Sequence, residues 1–363
     1  MELYLADSTD ELYAIVGEVL TIDAVEHLQV SREGQTATRF VGRLRLDAQA
    51  AYDQVAPRLR ARGYTPLLQQ AGDRVALVAA PPLPAVQPSR LWLALLLFAL
   101  TVASTVFVGG LTSEGFKLAQ GLGFSAALLG ILLAHELGHF IVARREGVAV
   151  SYPFFIPAPI FLLGTMGAFI SIKEPVPNRR ALLAIAIAGP LAGLVVAIPV
   201  LFLGLRLSEV QPLTPLPGSF TEGNSLLYAA IKIIVFGRFL PSGGEDVFLH
   251  PVALAGWAGL LVTGLNLLPA GQLDGGHIFF ALFGPRAARL MSMVVAVALL
   301  GLGFLWSGWF IWAVIVALLG QQRSPLLNEV SPLRGRWRLL ALLGLLVFVL
   351  VFTPMPISET VGP

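Results

Sequence analysis

The sequence contains no cysteine and very little charge. Only 13% of its 363 residues are Asp, Glu, Lys or Arg, against about 25% in a typical soluble domain. Without cysteine there are no disulfides, no thiolate metal ligands and no thiol nucleophile. A metal ion could therefore be held only by histidine and carboxylate side chains, and the chain has just five histidines.

Hydrophobic residues fill most of the chain. They make up 56% of it, which is outside the range of soluble globular proteins. We predict a polytopic α-helical membrane protein with about six to seven transmembrane helices. The apolar segments lie at 91–109, 122–143, 180–205, 251–268, 287–305, 307–320 and 339–353. The segment from Leu226 to Phe236 is interrupted by Lys232, and we predict an interfacial helix there instead.

The first 80 residues are polar enough to form a small N-terminal soluble α+β domain. Phe40 to Leu46 alternates like a half-buried strand, and Leu67 to Gln70 is placed to pair with Arg74 to Ala79. Residues 81–90 contain four prolines and predict a stiff linker. A membrane core over 91–285 and C-terminal transmembrane helices over 286–363 follow. Residues 1–80 show no catalytic grouping, which favours a structural or regulatory role.

The first apolar segment begins late in the chain, which argues against a cleaved secretory signal peptide. The positions of lysine and arginine in the loops indicate how the chain is oriented across the membrane. With residues 1–80 in the cytosol, the positive-inside rule is satisfied. The inside set is then Arg144, Arg145, Lys173, Arg179, Arg180, Arg286, Arg289, Arg323, Arg334, Arg336 and Arg338. The outside set is Lys117, Arg206, Lys232 and Arg238. Because no targeting segment is evident, we expect an integral protein of a prokaryotic cytoplasmic membrane, and the loop charges place its N-terminal domain and active site toward the cytosol.

The segment His135-Glu136-Leu137-Gly138-His139 lies inside the apolar run 122–143. Residues four apart share a face of an α-helix, so the two histidines can bind one zinc ion while Glu136 sits beside the bound water. Such groups are costly at membrane depth unless they are paired or bound to metal. A soluble helix with solvent-facing histidines is the alternative, and the lipid-like flank Ala126–Ala134 argues against it.

A catalytic zinc site needs a third protein ligand and leaves one position for water. Asp274 is the candidate, because it follows an apolar segment that is broken by Pro269 and by glycines. Broken backbone at membrane depth is tolerated where it is buried in protein or lines a wet cavity. In the predicted orientation Asp274 and the histidines reach the same end of their segments. A helix cap in a cytosolic turn is the alternative role for Asp274.

These elements together resemble the site-2 protease family of zinc-dependent intramembrane metalloproteases. The resemblance rests on the His-Glu-x-x-His segment, on Asn266-x-x-Pro269 and on Leu273-Asp274-Gly275, and it covers roughly residues 91–285. It implies one Zn²⁺ per chain, bound by His135, His139 and Asp274, with Glu136 as the catalytic base. The implied substrate is a membrane-embedded protein that is cut within or next to a transmembrane segment. Between Ser208 and His250 no inserted PDZ domain is evident, so the chain resembles the compact branch of the family.

Prolines 153, 157 and 159, followed by the glycine-containing segment Leu163–Ile172, predict a re-entrant β-hairpin, with an ordinary loop as the alternative. A free strand edge there would hold an unwound substrate extended. The family pattern supports substrate contacts for Asn266, Gly164 and Gly167, although an asparagine joining two helices is an alternative for Asn266.

Several other residues have weaker functional signals. Gly189-Pro190-Leu191-Ala192-Gly193 favours close helix packing over chemistry. His277 is placed to be a partner of Asp274, but an interfacial histidine is the preferred interpretation. His27 and His250 have no ligand neighbours at useful spacing and are treated as non-catalytic.

Two other functions compete with proteolysis. One is a membrane metal-ion transporter that uses the same residues as a transit site, and the other is a non-catalytic scaffold with a vestigial site. Glu136 argues against both, because neither needs a base beside the metal. The lipid bilayer is the other expected partner, nucleic acid is not expected, and the oligomeric state is not indicated.

Overall fold

The computed structural model describes residues 2–29, 36–112, 114–212, 220–319 and 325–359. The chain divides into two compact units. The first comprises Met1–Gln87, Lys173–Leu182 and Ser324–Arg334, and the second comprises Pro88–Ile172, Leu183–Arg323 and Gly335–Pro363.

The helices and strands of the described residues are numbered in chain order. The helices are α1 (Glu2–Gly17), α2 (Ala48–Ala61), α3 (Leu91–Gly110), α4 (Leu118–Arg145), α5 (Arg179–Arg206), α6 (Leu226–Phe236), α7 (Pro251–Asn266), α8 (Asp274–Phe283), α9 (Pro285–Leu302), α10 (Gly308–Leu319) and α11 (Arg336–Val351). The strands are β1 (Leu20–Gln29), β2 (Thr36–Leu44), β3 (Thr65–Ala71), β4 (Arg74–Ala80), β5 (Leu111–Thr112), β6 (Gly115–Phe116), β7 (Phe154–Pro157), β8 (Thr165–Phe169), β9 (Val176–Asn178), β10 (Glu209–Pro212), β11 (Phe220–Glu222), β12 (Glu245–Phe248), β13 (Leu326–Asn328) and β14 (Ile357–Glu359).

The first unit is an α+β structure built on a six-stranded sheet of order β1-β2-β4-β3-β13-β9. Apolar residues of α1 and α2, such as Val16 and Leu59, pack in one core with sheet residues such as Phe40 and Leu68. Burial of these side chains is the main stabilising term for the unit. The predicted pairing of residues 67–70 with 74–79 is confirmed, with Leu67 opposite Val78, because the two-residue turn Gly72-Asp73 brings the strands together locally.

Two strands of this sheet come from far along the chain. β13 pairs in parallel with β3 and with β9, although the three strands are separated by more than a hundred residues of sequence in each interval. The alternation within a three-residue strand is too short to predict its partner. The sequence patterns therefore did not predict that β13 and β9 extend the sheet beyond β3.

Four helices of the described residues are long and apolar enough to cross a membrane. They are α3, α4, α5 and α9. The apolar helices α6, α7 and α10 are shorter than 18 residues, and 18 residues rise about 27 Å, close to the thickness of the hydrocarbon core. The chain is thus a polytopic helical protein by length and composition, with an α+β part that includes its N-terminus.

A two-stranded antiparallel hairpin follows α4. β7 pairs with β8, with Phe154 opposite Phe169 and an irregularity between Phe155 and Pro157. The hairpin predicted from the prolines and glycines is therefore present. Ser104 Oγ on α3 donates a hydrogen bond of 2.5 Å to the carbonyl oxygen of Gly164, which ties the turn of the hairpin to that helix.

Lys232 on α6 is fully buried. Its Nζ lies 3.4 Å from Glu222 Oε1 and 3.6 Å from Asp246 Oδ1, and 4.8 Å from the centre of the Tyr228 ring. Tyr228 in turn donates a hydrogen bond of 2.9 Å to Glu222. A buried ammonium group is tolerated when carboxylates surround it in this way. The 11-residue α6 is too short to span a membrane, and its interfacial position stays a prediction. The sequence offered no sign of the two carboxylate partners of Lys232.

The substitution Lys232→Met should reduce the free energy of unfolding by about 3–5 kcal/mol, because it leaves two buried carboxylates without a counter-charge. Unfolding in mixed detergent micelles measures this. The control is Arg238→Gln, whose ion pair with Glu245 is exposed and should contribute less than about 1 kcal/mol. If the two variants lost the same free energy of unfolding, the buried ion cluster around Lys232 would contribute no more than an exposed ion pair, which would contradict this prediction.

Candidate metal centre

Helix α4 presents His135, Glu136 and His139 inside the second unit. All three residues are buried, with at most 6% of their surface exposed. The helix runs unbroken over 28 residues, because Ala, Leu and Ile around the motif are good helix formers or apolar enough to pack in a bundle. The spacing of four residues then places both imidazoles on one face.

Asp274 reaches the same place from the first turn of α8. The chain turns sharply between α7 and α8, over residues 267–273. A Cβ atom on Gly275 would lie only 1.9 Å from the carbonyl oxygen of Leu267, so a glycine is required for the helices to meet this closely. The carboxylate stands at a helix N-terminus, where the helix dipole favours negative charge.

The three side chains converge on one point. His135 Nε2 and His139 Nε2 are 3.1 Å apart, and they lie 3.3 Å and 3.2 Å from Asp274 Oδ2. Ligand atoms bound at about 2.0–2.1 Å to a tetrahedral ion lie about 3.3–3.4 Å from one another. Two imidazole nitrogens and one carboxylate oxygen at these distances fit a zinc ion with an open fourth position. In the part of the chain that the structure describes, this is the one such cluster found.

Two further side chains lie close to the cluster. Glu136 is buried and within electrostatic range of His135, His139 and Asp274. Asn266, at the end of α7, brings its Nδ2 to 3.4 Å from His135 Nε2. His277, three residues after Asp274 on α8, is partly buried, and its role as a partner of Asp274 or as an interfacial histidine stays a prediction.

The structure separates other sequence candidates from the cluster. His250 caps α7, with its Nδ1 accepting a hydrogen bond from the Val252 backbone, and His27 lies in β1 of the first unit. Gly164 and Gly167 belong to the hairpin, both with positive φ. A Cβ on Gly164 would lie 2.9 Å from the backbone of Ser104 and Thr105, so the turn of the hairpin packs closely against α3 at this glycine.

One contact was missed by sequence reasoning. His139 Nδ1 lies 2.8 Å from the carbonyl oxygen of Ile185 on α5, a residue whose side chain is an ordinary apolar one. A backbone carbonyl has no sequence signature, so only the tertiary structure reveals it.

Fold and site together define a polytopic membrane protein with a buried His-His-Asp centre. The family model of Peptidase family M50 matches residues 123–307, about half of the chain. The match contains the whole cluster, and the chain belongs to this family. The resemblance to site-2 proteases is thus confirmed.

Plant proteins are among the relatives of this chain. It is 34% identical over 245 residues to "Probable zinc metalloprotease EGY2, chloroplastic" of Arabidopsis thaliana, covering 67% of this chain and 43% of the relative. It is 33% identical over 313 residues to "Probable zinc metalloprotease EGY1, chloroplastic" of the same plant, covering 76% and 56%. The EGY1 protein of Oryza sativa subsp. japonica is 35% identical over 238 residues, covering 64% and 40%. The chain thus spans about half the length of these relatives. No solved structure matches the chain.

The relatives correct one prediction. We expected a prokaryotic cytoplasmic membrane, with the active site toward the cytosol, but the matching relatives are named as chloroplastic proteins. They point to a plastid membrane, and the prediction is wrong. The positive-inside rule orients a chain across a membrane and carries no information about which membrane that is.

The substitution Asp274→Ala should lower the zinc content of the purified chain well below one ion, because two imidazoles alone leave the site without its carboxylate. Metal analysis after dialysis measures the stoichiometry. His27→Ala, which removes a histidine from the first unit, should leave the zinc content unchanged. Full zinc occupancy in Asp274→Ala would show that this carboxylate is not a ligand.

Proposed function

We propose that this protein is a zinc metalloendopeptidase that cleaves peptide bonds within or next to transmembrane segments of membrane proteins. The observation that carries the proposal is the convergence of His135, His139 and Asp274 to within 3.1–3.3 Å of one another. Membership of peptidase family M50 supports the reaction, and the relatives' names support zinc.

His135, His139 and Asp274 would hold the ion, one per chain. Zinc bound by such a set supplies a Lewis acid that acidifies water and polarises a carbonyl group. The chain's contribution is a buried, apolar surrounding in which electrostatic interactions are stronger than in water.

Glu136 is the proposed general base. Its carboxylate, next to His135 on α4, would accept a proton from the attacking water and then donate it to the leaving amine as the peptide bond breaks. Burial among apolar helices keeps bulk water from competing for that proton. Asn266 lies beside the histidine ligand, and its amide is placed to hydrogen-bond the substrate or the developing oxyanion.

The proposed substrate is a membrane-embedded polypeptide. Helical peptide bonds are shielded and hydrogen-bonded, so the scissile segment must be extended before it can be cut. The two-stranded sheet of β7 and β8 has outer strand edges, to which an extended segment could add by strand pairing. We propose that this hairpin is re-entrant and faces the substrate, with Gly164 in its turn and Gly167 in strand β8. We also propose that α7, α10 and α11 join the four long helices as spans, for about six to seven in total.

The sequence also suggested a metal-ion transporter as an alternative function. Family membership gives it no support, and a three-ligand site with an adjacent carboxylate is suited to holding metal during a reaction. Uptake of radioactive zinc into vesicles containing the chain should not exceed the leak of empty vesicles.

The substitution Glu136→Gln should reduce cleavage of a membrane-anchored reporter by at least about 100-fold, because the amide cannot accept the proton. Zinc stoichiometry should stay at the wild-type level, since Glu136 is not a ligand. Gel analysis of the reconstituted reporter and metal analysis of the same samples provide the two measurements.

The control is Glu114→Gln, which removes a carboxylate whose ion pair with Lys117 is exposed. It should cleave the reporter at the wild-type rate. Undiminished cleavage by Glu136→Gln would rule out the proposed base, and zinc uptake with no cleavage by the wild type would favour the transporter.

A further inference from the structure

Helix α5 lies unusually close to the face of α4 that carries the histidines. A Cβ on Gly138, between the two ligands in sequence, would lie 2.5 Å from the carbonyl oxygen of Ala188. Real Cβ atoms essentially never come this near, so the two helix backbones approach each other through glycine. The approach brings the backbone of α5 within hydrogen-bond distance of a ligand side chain.

The carbonyl group of Ile185 determines which nitrogen of His139 carries the proton. A carbonyl oxygen only accepts hydrogen bonds, so at 2.8 Å the Nδ1 atom must be the donor. In the neutral imidazole that binds a metal ion, the Nε2 atom is then left with its lone pair, and it is this atom that lies 3.2 Å from Asp274 Oδ2. A hydrogen bond to the other ring nitrogen commonly orients a histidine ligand and raises its basicity.

Gly189, one turn after Ile185 on α5, faces the same ring. A Cβ there would lie 2.1 Å from His139 Nε2, 2.4 Å from Cδ2 and 2.5 Å from Cε1. All three atoms belong to the imidazole and none to the backbone, so an added methyl group would be accommodated by moving the ring. Moving the ring breaks the hydrogen bond to Ile185 and displaces the ligand nitrogen.

We propose that the Ile185 carbonyl group and Gly189 form a His139 seat, which sets the tautomer and the orientation of this ligand. Gly189 is thereby a positioning residue of the metal centre. The inference rests on the proposed function, since it assigns His139 to a metal. The sequence favoured close helix packing over chemistry for the segment 189–193, and the inference adds a positioning role at Gly189.

Gly193 provides a matched control in the same helix, one turn further on. A Cβ there would lie 3.4 Å from Cβ and 3.5 Å from Nδ1 of His135, which are ordinary contact distances. Alanine at position 193 therefore changes the helix composition in the same way as alanine at position 189 and leaves the ligand in place.

The test compares Gly189→Ala with Gly193→Ala in the purified full-length chain in detergent. Zinc affinity is measured by competition with a chromogenic chelator, and Co²⁺ substitution reports the ligand geometry by visible absorption. Gly189→Ala should weaken zinc binding at least about tenfold, the usual effect of losing an orienting partner, and alter the Co²⁺ spectrum. The zinc affinity of Gly193→Ala should stay within about threefold of wild type, which is a smaller change than the loss of an orienting partner causes. Circular dichroism should show the same helix content for all three proteins.

If Gly189→Ala had the zinc affinity and the Co²⁺ spectrum of the wild type, the proposed His139 seat would be wrong, and the proposed function would be unaffected. Absence of zinc binding by the wild-type chain would instead overturn the proposed function, and the seat with it. If Gly189→Ala does not fold, the double variant Gly189→Ala/His139→Ala decides: recovery of folding supports the seat, because the clash is with the imidazole. Failure of the double variant to fold would assign the defect to helix packing and overturn the seat.

Discussion

Two imidazoles and two carboxylates are grouped among apolar helices, with His135, Glu136 and His139 buried and Asp274 partly buried. The metal centre depends on their proximity. Each group would cost several kcal/mol in such surroundings if it stood alone. At separations of 3.1–3.3 Å the ligand atoms of His135, His139 and Asp274 can share one cation, which offsets the loss of hydration. The site is therefore a single unit in physical terms, because removing any one ligand leaves the others uncompensated.

Convergence of this kind requires the helices to approach more closely than ordinary side chains allow. Glycine supplies the space at two critical points, Gly275 against the carbonyl of Leu267 and Gly189 against the ring of His139. The absence of a side chain thus permits close contact both at the first turn of α8 and on the face of α5. In both places the missing side chain matters as much as the reactive groups that are present.

The ion cluster around Lys232 solves a similar problem with a different chemistry. Here a buried ammonium group is balanced by Glu222 and Asp246 and covered by Tyr228. The cluster joins α6 to β11 and β12, two strands of only three and four residues. It does not have the ligand set of the metal centre, and its role follows from the stability that a satisfied buried charge preserves.

The sequence by itself determined the membrane class, the positions of the apolar helices, the hairpin and the three candidate ligands, because hydrophobic runs and the i, i+4 spacing are local properties. The tertiary structure alone decided which backbone carbonyl faces His139, which carboxylates surround Lys232, and that β13 joins β3 to β9. These contacts join residues far apart in the chain, through backbone atoms or through side chains with no spacing to relate them. The prediction of the host membrane failed for another reason: it rested on the lack of a targeting segment, and neither that lack nor loop charge identifies the bilayer.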